Sequence, residues 1–196
     1  MKFFLKILYC YSLLVVSCAQ KKILSEDVKK LIPYKGREVL IFQSDKGRLD
    51  TLFLKGLKRY YRFTGAQNVF SDSIEHIFIS YKTIGTKSDI QKPTIGTILD
   101  IFKSPQGITR IGFGLKLDSL MFYGLRYYDL NVLDSMTLMN IVVANKNYND
   151  VLVIYPDQDN EKYSDEPDYI KCLFWSKSKG LIRFDSDEQI WELKRS

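Results

Sequence analysis

Cysteine and histidine are the scarcest reactive side chains here, three and one respectively in 196 residues. A thiol becomes a nucleophile when a base sits beside it, so Cys172 and His76 are the pair from which such chemistry would have to be built. Each lies in a strand-like run, and Cys172 falls within Tyr169-Ile170-Lys171-Cys172-Leu173-Phe174-Trp175. In that setting a free cysteine serves as a small apolar side chain. Carboxylates offer a second chemistry. Asp157, Asp159, Glu161, Asp165 and Asp168 fall at positions 1, 3, 5, 9 and 12 of the calcium-hand template. Lys162, however, stands where the turn glycine belongs, and no helical pattern flanks the run. The expectation is a solvated surface loop over 157–168 and no metal site. Aromatics offer a third. Phe122-Tyr123-Gly124-Leu125-Arg126-Tyr127-Tyr128 could form a recognition surface or a pocket mouth, and the alternative is that its alternating rings fill a sheet core.

Templates for catalysis are missing. The chain has no G-x-S-x-G elbow, no H-E-x-x-H pair, no phosphate-cradling glycine loop and no dinucleotide fingerprint. Gly112 and Gly114 sit inside a strand-like run, where glycines mark a bulge or a tight bend. No catalytic residue and no cofactor site is assigned. Carboxylates converging across strands are the one route left to a hydrolase.

The N-terminus carries a different chemistry. Lys2 and Lys6 are followed by a short apolar core over 7–16, and small Ser17 stands directly before Cys18. This is the layout of a cleavable secretory signal. Val15-Val16-Ser17-Cys18 resembles the lipobox of bacterial lipoproteins, which implies that Cys18 is acylated on its thiol and becomes the first residue of the mature protein. The apolar run is shorter than the roughly 20 residues that a membrane span takes. Two or more acyl chains would hold the domain to a bilayer almost permanently, at about 0.8 kcal/mol per buried CH₂. The division expected is a signal peptide over 1–17, a tether over 18–24 and a single β-rich domain over 25–196.

Composition agrees with one globular domain outside the cytosol. Hydrophobic residues make up 45% and aromatics 14%, which excludes disorder. Lys2 and Lys6 leave with the signal, so the formal charge of +6 shrinks to a small, scattered surplus. Pairs such as Lys21-Lys22, Lys29-Lys30 and Lys58-Arg59 read as solvated faces, with no nucleic acid as partner. Once Cys10 leaves with the signal and Cys18 is acylated, Cys172 remains alone and has no internal disulfide partner.

The elements that must position these residues are mostly strands. One short helix is expected behind the tether, where Ser25 can cap, Glu26 and Asp27 open the first turn, Lys29 and Lys30 close it, and Pro33 stops it. From there the pattern is strand and turn. Three hairpins are expected: 39–43 with 49–54, 99–103 with 108–113, and 170–175 with 181–184. Their turns are Ser44-Asp45-Lys46-Gly47, Ser104-Pro105-Gln106-Gly107 and Lys177-Ser178-Lys179-Gly180. Further strands are expected over 74–81, 120–125, 136–143, 150–155 and 189–193. Strands without long alternating helices imply a mainly β, antiparallel fold, a strongly curved sheet or half-barrel.

The run Tyr148-Asn149-Asp150-Val151-Leu152-Val153-Ile154, then Phe174-Trp175-Ser176-Lys177, Gly180-Leu181-Ile182-Arg183-Phe184 and Trp191-Glu192-Leu193, resembles the ending of uncharacterised small lipoproteins of Bacteroidota. Gly36-Arg37-Glu38-Val39-Leu40-Ile41-Phe42-Gln43-Ser44 has the same character. The resemblance implies a lipid-anchored protein of the cell envelope, on the outer membrane at its periplasmic face or at the cell surface. A pattern similar to the half-barrel of periplasmic lipoprotein carriers implies an alternative, a concave face that holds a lipid or another apolar small molecule. The expected function is non-enzymatic binding, with the membrane as anchor and an envelope protein or an apolar ligand as partner.

Overall fold

The structure is a computed structural model that describes residues 21–63, 73–83, 94–117 and 119–195. The signal over 1–17 and the acylation candidate Cys18 lie outside the described residues. In chain order the elements are β1 (Lys21–Lys22), α1 (Glu26–Lys30), β2 (Val39–Ser44), β3 (Leu49–Phe63), β4 (Ser73–Thr83), β5 (Ile95–Lys103), β6 (Thr109–Lys116) and β7 (Met121–Asp129). There follow α2 (Leu130–Ser135), β8 (Met139–Val143), β9 (Lys146–Ile154), a 3₁₀ turn (Gln158–Tyr163), β10 (Ile170–Ser176), β11 (Gly180–Ser186) and β12 (Ile190–Arg195). Among the described residues one sheet is formed, in the order β7-β6-β5-β4-β3-β2-β12-β11-β10-β9-β8, with β1 off this path on β4. Its neighbours along the path are antiparallel, and the sheet curls strongly into a half-barrel. A parallel bridge from Met121 to Tyr169 draws β7 toward β10 across the mouth of the curl.

The three expected hairpins form, two of them with the same local chemistry. Ser44 N–H donates to Arg48 O at 2.8 Å while its hydroxyl accepts from Arg48 N–H at 3.1 Å. Ser104 repeats this with Ile108, at 2.7 and 3.2 Å. In each turn the fourth residue, Gly47 or Gly107, has φ near +80°, a region that other residues enter only at a cost. The third turn is pinned by Asp150, which accepts from Ser176 Oγ at 2.8 Å and from Ser178 N–H at 2.9 Å. Burial alone would raise the Asp150 carboxyl, but these donors outweigh it and hold it below its ordinary value.

Two corrections concern the N-terminal segment and the helices. The expected tether does not stay loose over its last residues. Lys21 and Lys22 pair parallel with Ser73 and Ile74, on the side of β4 that β5 leaves open beyond His76. Leu24 is buried, and its N–H donates to Glu75 Oε2 at 2.8 Å. Helix α1 forms as expected, with Ser25 accepting from Val28 N–H and Val28 buried. A second short helix, α2, was not expected. Asp129 stands at its N-cap, but its side chain makes no cap hydrogen bond and is engaged by Arg110 Nε at 3.0 Å instead.

Alternation along the strands fills the inside of the curl. Leu40, Phe42, Leu52, Ile79, Ile101, Phe113, Leu152, Leu181, Phe184 and Trp191 are all buried in one cluster. Phe42 meets Phe184 edge-on at 5.3 Å, and Phe184 stacks on Trp191 at 5.6 Å. Phe113 meets Trp175 at 4.9 Å. A small pocket between Leu99, Phe113, Leu133 and Trp175 has about 30 Å³. That is the volume of roughly one water molecule.

Candidate binding face on the outside of the sheet

Strand β4 is buried on both of its faces, which is unusual for a sheet with one filled side. Its inward residues Ile77, Ile79 and Tyr81 join the core. The outward residues His76, Phe78 and Ser80 are covered sideways by neighbours on the same sheet. Register places Tyr60 of β3 and Phe102 of β5 opposite His76. The imidazole is sandwiched between them, 4.9 Å from the Tyr60 ring and 4.7 Å from the Phe102 ring, with interplanar angles of 21° and 8°. Tyr127 of β7 meets Phe102 edge-on at 5.5 Å and donates its hydroxyl to Asp100 Oδ2 at 2.9 Å. Tyr127 reaches across β6 because Gly112 lies beneath it: a Cβ there would come within 2.4 Å of the Tyr127 ring. The glycine run thus marks a close approach, and a bulge follows it between Phe113 and Leu115.

Asp100 is the polar centre of this face. Its second oxygen, Oδ1, has no hydrogen-bond partner and lies 3.7 Å from His76 Nδ1, an ion-pair distance too long for a hydrogen bond. Burial lowers the His76 pKa, and the Asp100 carboxylate opposes that shift without overcoming it. Burial and then the Asp100 charge raise the Tyr60 and Tyr127 hydroxyls above their ordinary range. At neutral pH the cluster therefore holds a neutral imidazole and two neutral phenols around the Asp100 side chain. Folded His76 resists protonation relative to the unfolded chain, so the unfolded state binds more protons as pH falls below about 6.5. Stability from this group is full above that pH and is lost as pH drops toward the lower folded value. Chemical unfolding followed from pH 7 to pH 5 is expected to show that loss, and a His76→Phe variant should flatten it.

Beside the stack runs an open groove of about 690 Å³, lined by Lys58, Arg59, Tyr60, Phe78, Thr97, Asp100 and Leu125. A second groove of about 400 Å³ continues it past Ser80, Gly114, Lys116 and Gly124, sharing Lys58, Phe78, Thr97 and Leu125. Lys58 Nζ lies over the Phe78 ring at 5.6 Å. Together they cross five strands, β3 to β7, about 19 Å at the usual strand spacing. Ser80 Oγ, like Asp100 Oδ1, is buried without a hydrogen-bond partner.

The other sequence candidates are dispersed. Cys172 is buried on β10, where desolvation, then the Asp185 charge, pushes its thiol up to about 11. Only about one thiol in a thousand is then ionised at pH 8. Protein produced from residue 19 onward, in which Cys172 is the only thiol, is expected to resist iodoacetamide until it is unfolded. His76 is held by its own stack, and Ser80, four residues along the same strand, is roughly 13 Å away, beyond reach as a nucleophile for that base. Two acids of 157–168 are engaged separately. Asp157 ion-pairs with Arg126 Nη1, and Asp168 Oδ1 accepts from Tyr123 Oη at 3.0 Å. Among the described residues no three metal-ligating side chains converge. The segment is a 3₁₀ turn docked on β7, with Tyr163 stacked on Tyr123 at 4.3 Å and Asn160 Nδ2 donating to Tyr123 O at 2.7 Å.

The aromatic run 122–128 splits between its two expected fates. Phe122 is buried in the core, and Tyr128 packs on it at Phe113. Leu125 and Tyr127 face outward, at the groove wall and the Asp100 cluster. Tyr60, Phe78, Phe102 and Asp100 were not read from the sequence as site residues. The one signal for them is that 74–81 is rich in large apolar side chains at both parities. No protein family, curated protein or solved structure matches this chain, so function has to be argued from the site.

Proposed function

We propose that this is a lipid-anchored, non-enzymatic binding protein of the cell envelope, tethered through Cys18 and taking its ligand or partner on the outer face of β3–β7. The observation that carries the binding role is the groove beside the His76 stack, walled by half-exposed rings and floored by a buried carboxylate oxygen without a partner. Rings at Tyr60 and Phe78 give contact area, and a buried acceptor gives orientation. The alternative carrier reading would need an inner cavity, and the pocket between Leu99, Phe113 and Trp175 on the packed side of the sheet is about 30 Å³. A single acyl chain does not fit in that space without opening the fold.

Two measurements test the proposal. Mass spectrometry of membrane-extracted protein should show an N-terminal peptide starting at acylated Cys18, and Cys18→Ala should leave the signal uncleaved. A soluble product that keeps its start methionine would contradict the anchor. A photo-crosslinking residue at Thr97, in the groove, should give adducts in intact cells, and the same residue at exposed Leu49 should not. Equal yields at the two positions would contradict binding at this face.

A further inference from the structure

We infer that the groove on the outer face binds an acidic glycan, a chain of sugar rings carrying carboxylate, sulfate or phosphate groups. This rests on the proposed binding role of that face and adds the chemistry of the occupant.

Three observations converge. Tyr60 is 43% exposed, and Phe78 lines both halves of the groove. The C–H face of a sugar ring carries slightly positive hydrogens, which match the negative face of an aromatic ring. Next, Asp100 Oδ1 and Ser80 Oγ are buried and unpartnered at groove-lining residues. Asp100 is 9% exposed and Ser80 5%, so neither oxygen is well served by bulk water. An unpartnered buried carboxylate oxygen seeks a donor, and a hydroxyl supplies one in a strong charge-assisted bond. The Ser80 hydroxyl can both donate and accept.

The charges around the groove select among hydroxyl-rich ligands. Among the described lining residues, Lys58, Arg59 and Lys116 stand against the one carboxylate of Asp100. Arg59 is engaged by buried Glu75, whereas Lys58 lies over Phe78 and is exposed. A cationic ligand would meet net repulsion here, and an anionic substituent would find Lys58, where the two halves meet, and Lys116 in the second half. The groove's length across five strands suits several rings in a row rather than one. An acyl chain is disfavoured because it would leave Asp100 and Ser80 without partners.

Calorimetric titration of the purified protein, expressed from residue 18 with Cys18→Ser, tests this. The probes are an oligogalacturonate, a heparin-derived oligosaccharide and, as the neutral control, a cello-oligosaccharide. At least one acidic probe is expected to bind, and the affinity should drop about tenfold or more in Tyr60→Ala. Tyr60→Phe should restore most of it, since the ring and not the hydroxyl makes the stack. Lys58→Ala, and separately salt raised to about 0.5 M, should weaken the acidic probe while leaving any neutral binding unchanged. An unchanged thermal midpoint in each variant shows that the fold is intact. Failure of both acidic probes, or binding indifferent to Tyr60→Ala, overturns the inference. If Thr97 still crosslinks to a polypeptide in cells, only the glycan falls and the binding face stands. If Thr97 gives nothing either, both fall.

Discussion

Phe113→Ala is expected to lower the unfolding free energy by about 3–5 kcal/mol, the range for removing a buried ring from a packed core. Phe113 is 1% exposed and sits where Trp175, Tyr128 and the strands from β5 to β7 meet. Its loss removes two edge-on aromatic pairs and enlarges the small cavity that it lines. For a domain of this size each kcal/mol lowers the melting midpoint by roughly 2–4 °C, so a drop of about 10 °C is predicted. Phe113→Leu should lose much less, because most of the volume stays. Calorimetric melting of the two variants checks this. Equal, small losses in both would mean that the interior is looser than the packing implies, and an inner ligand site would again be credible.

Glu75→Ala is the second large effect. Glu75 is fully buried, accepts Leu24 N–H and ion-pairs with Arg59 Nε. Removing the carboxylate leaves a buried amide without an acceptor, at about 1–3 kcal/mol, and strips Arg59 of its partner. The ion pair itself adds little, since the Arg59 side chain is 46% exposed. What changes most is local. Residues 21–24 should detach from β4, so the Leu24 amide should exchange with solvent far faster, and trypsin should cut at Lys21-Lys22. Glu75→Gln keeps one acceptor for Leu24 and should retain most of the protection. An unchanged Leu24 exchange rate in Glu75→Ala would show that burial of the Leu24 side chain alone holds the segment.

This latch is invisible in the local sequence. Lys21-Lys22 looks like solvated tether in any local window, and its pairing with Ser73 and Ile74 depends on where β5 stops. The hairpins were legible because their signals are local. A serine and a glycine three residues apart, between β-branched runs, carry the whole turn. The sequence pattern for β3 ends at residue 54 because Lys55, Gly56 and the basic residues after them break the apolar alternation. The structure carries the strand through a bulge between Leu54 and Leu57, where Gly56 has φ +98°, and on to Phe63. The β8–β9 turn also escaped notice, since Ala144 and Asn145 take positive φ without a glycine. Ala144 N–H is held there by Glu192 Oε2 at 3.1 Å, a contact from β12.

The binding face was illegible for the same physical reason. Its members sit on β3, β4, β5 and β7, and which residues turn outward depends on bulges at 54/57 and 79/80 that shift the alternation. A one-residue error in either bulge would send Tyr60 or Asp100 to the wrong side. Only the double-sided apolarity of 74–81 hinted that the outer face had something to cover.

Hydroxyl-radical footprinting, on the purified protein and on the same protein in intact cells, addresses the outer face directly. Tyr60 and Phe78 should oxidise readily in the purified protein and be shielded several-fold in cells. Leu49, 54% exposed and roughly 35 Å away along the same strand, should oxidise alike in both. Oxidation of Tyr60 and Phe78 at the same rate in cells as in the purified protein would contradict occupancy of this face.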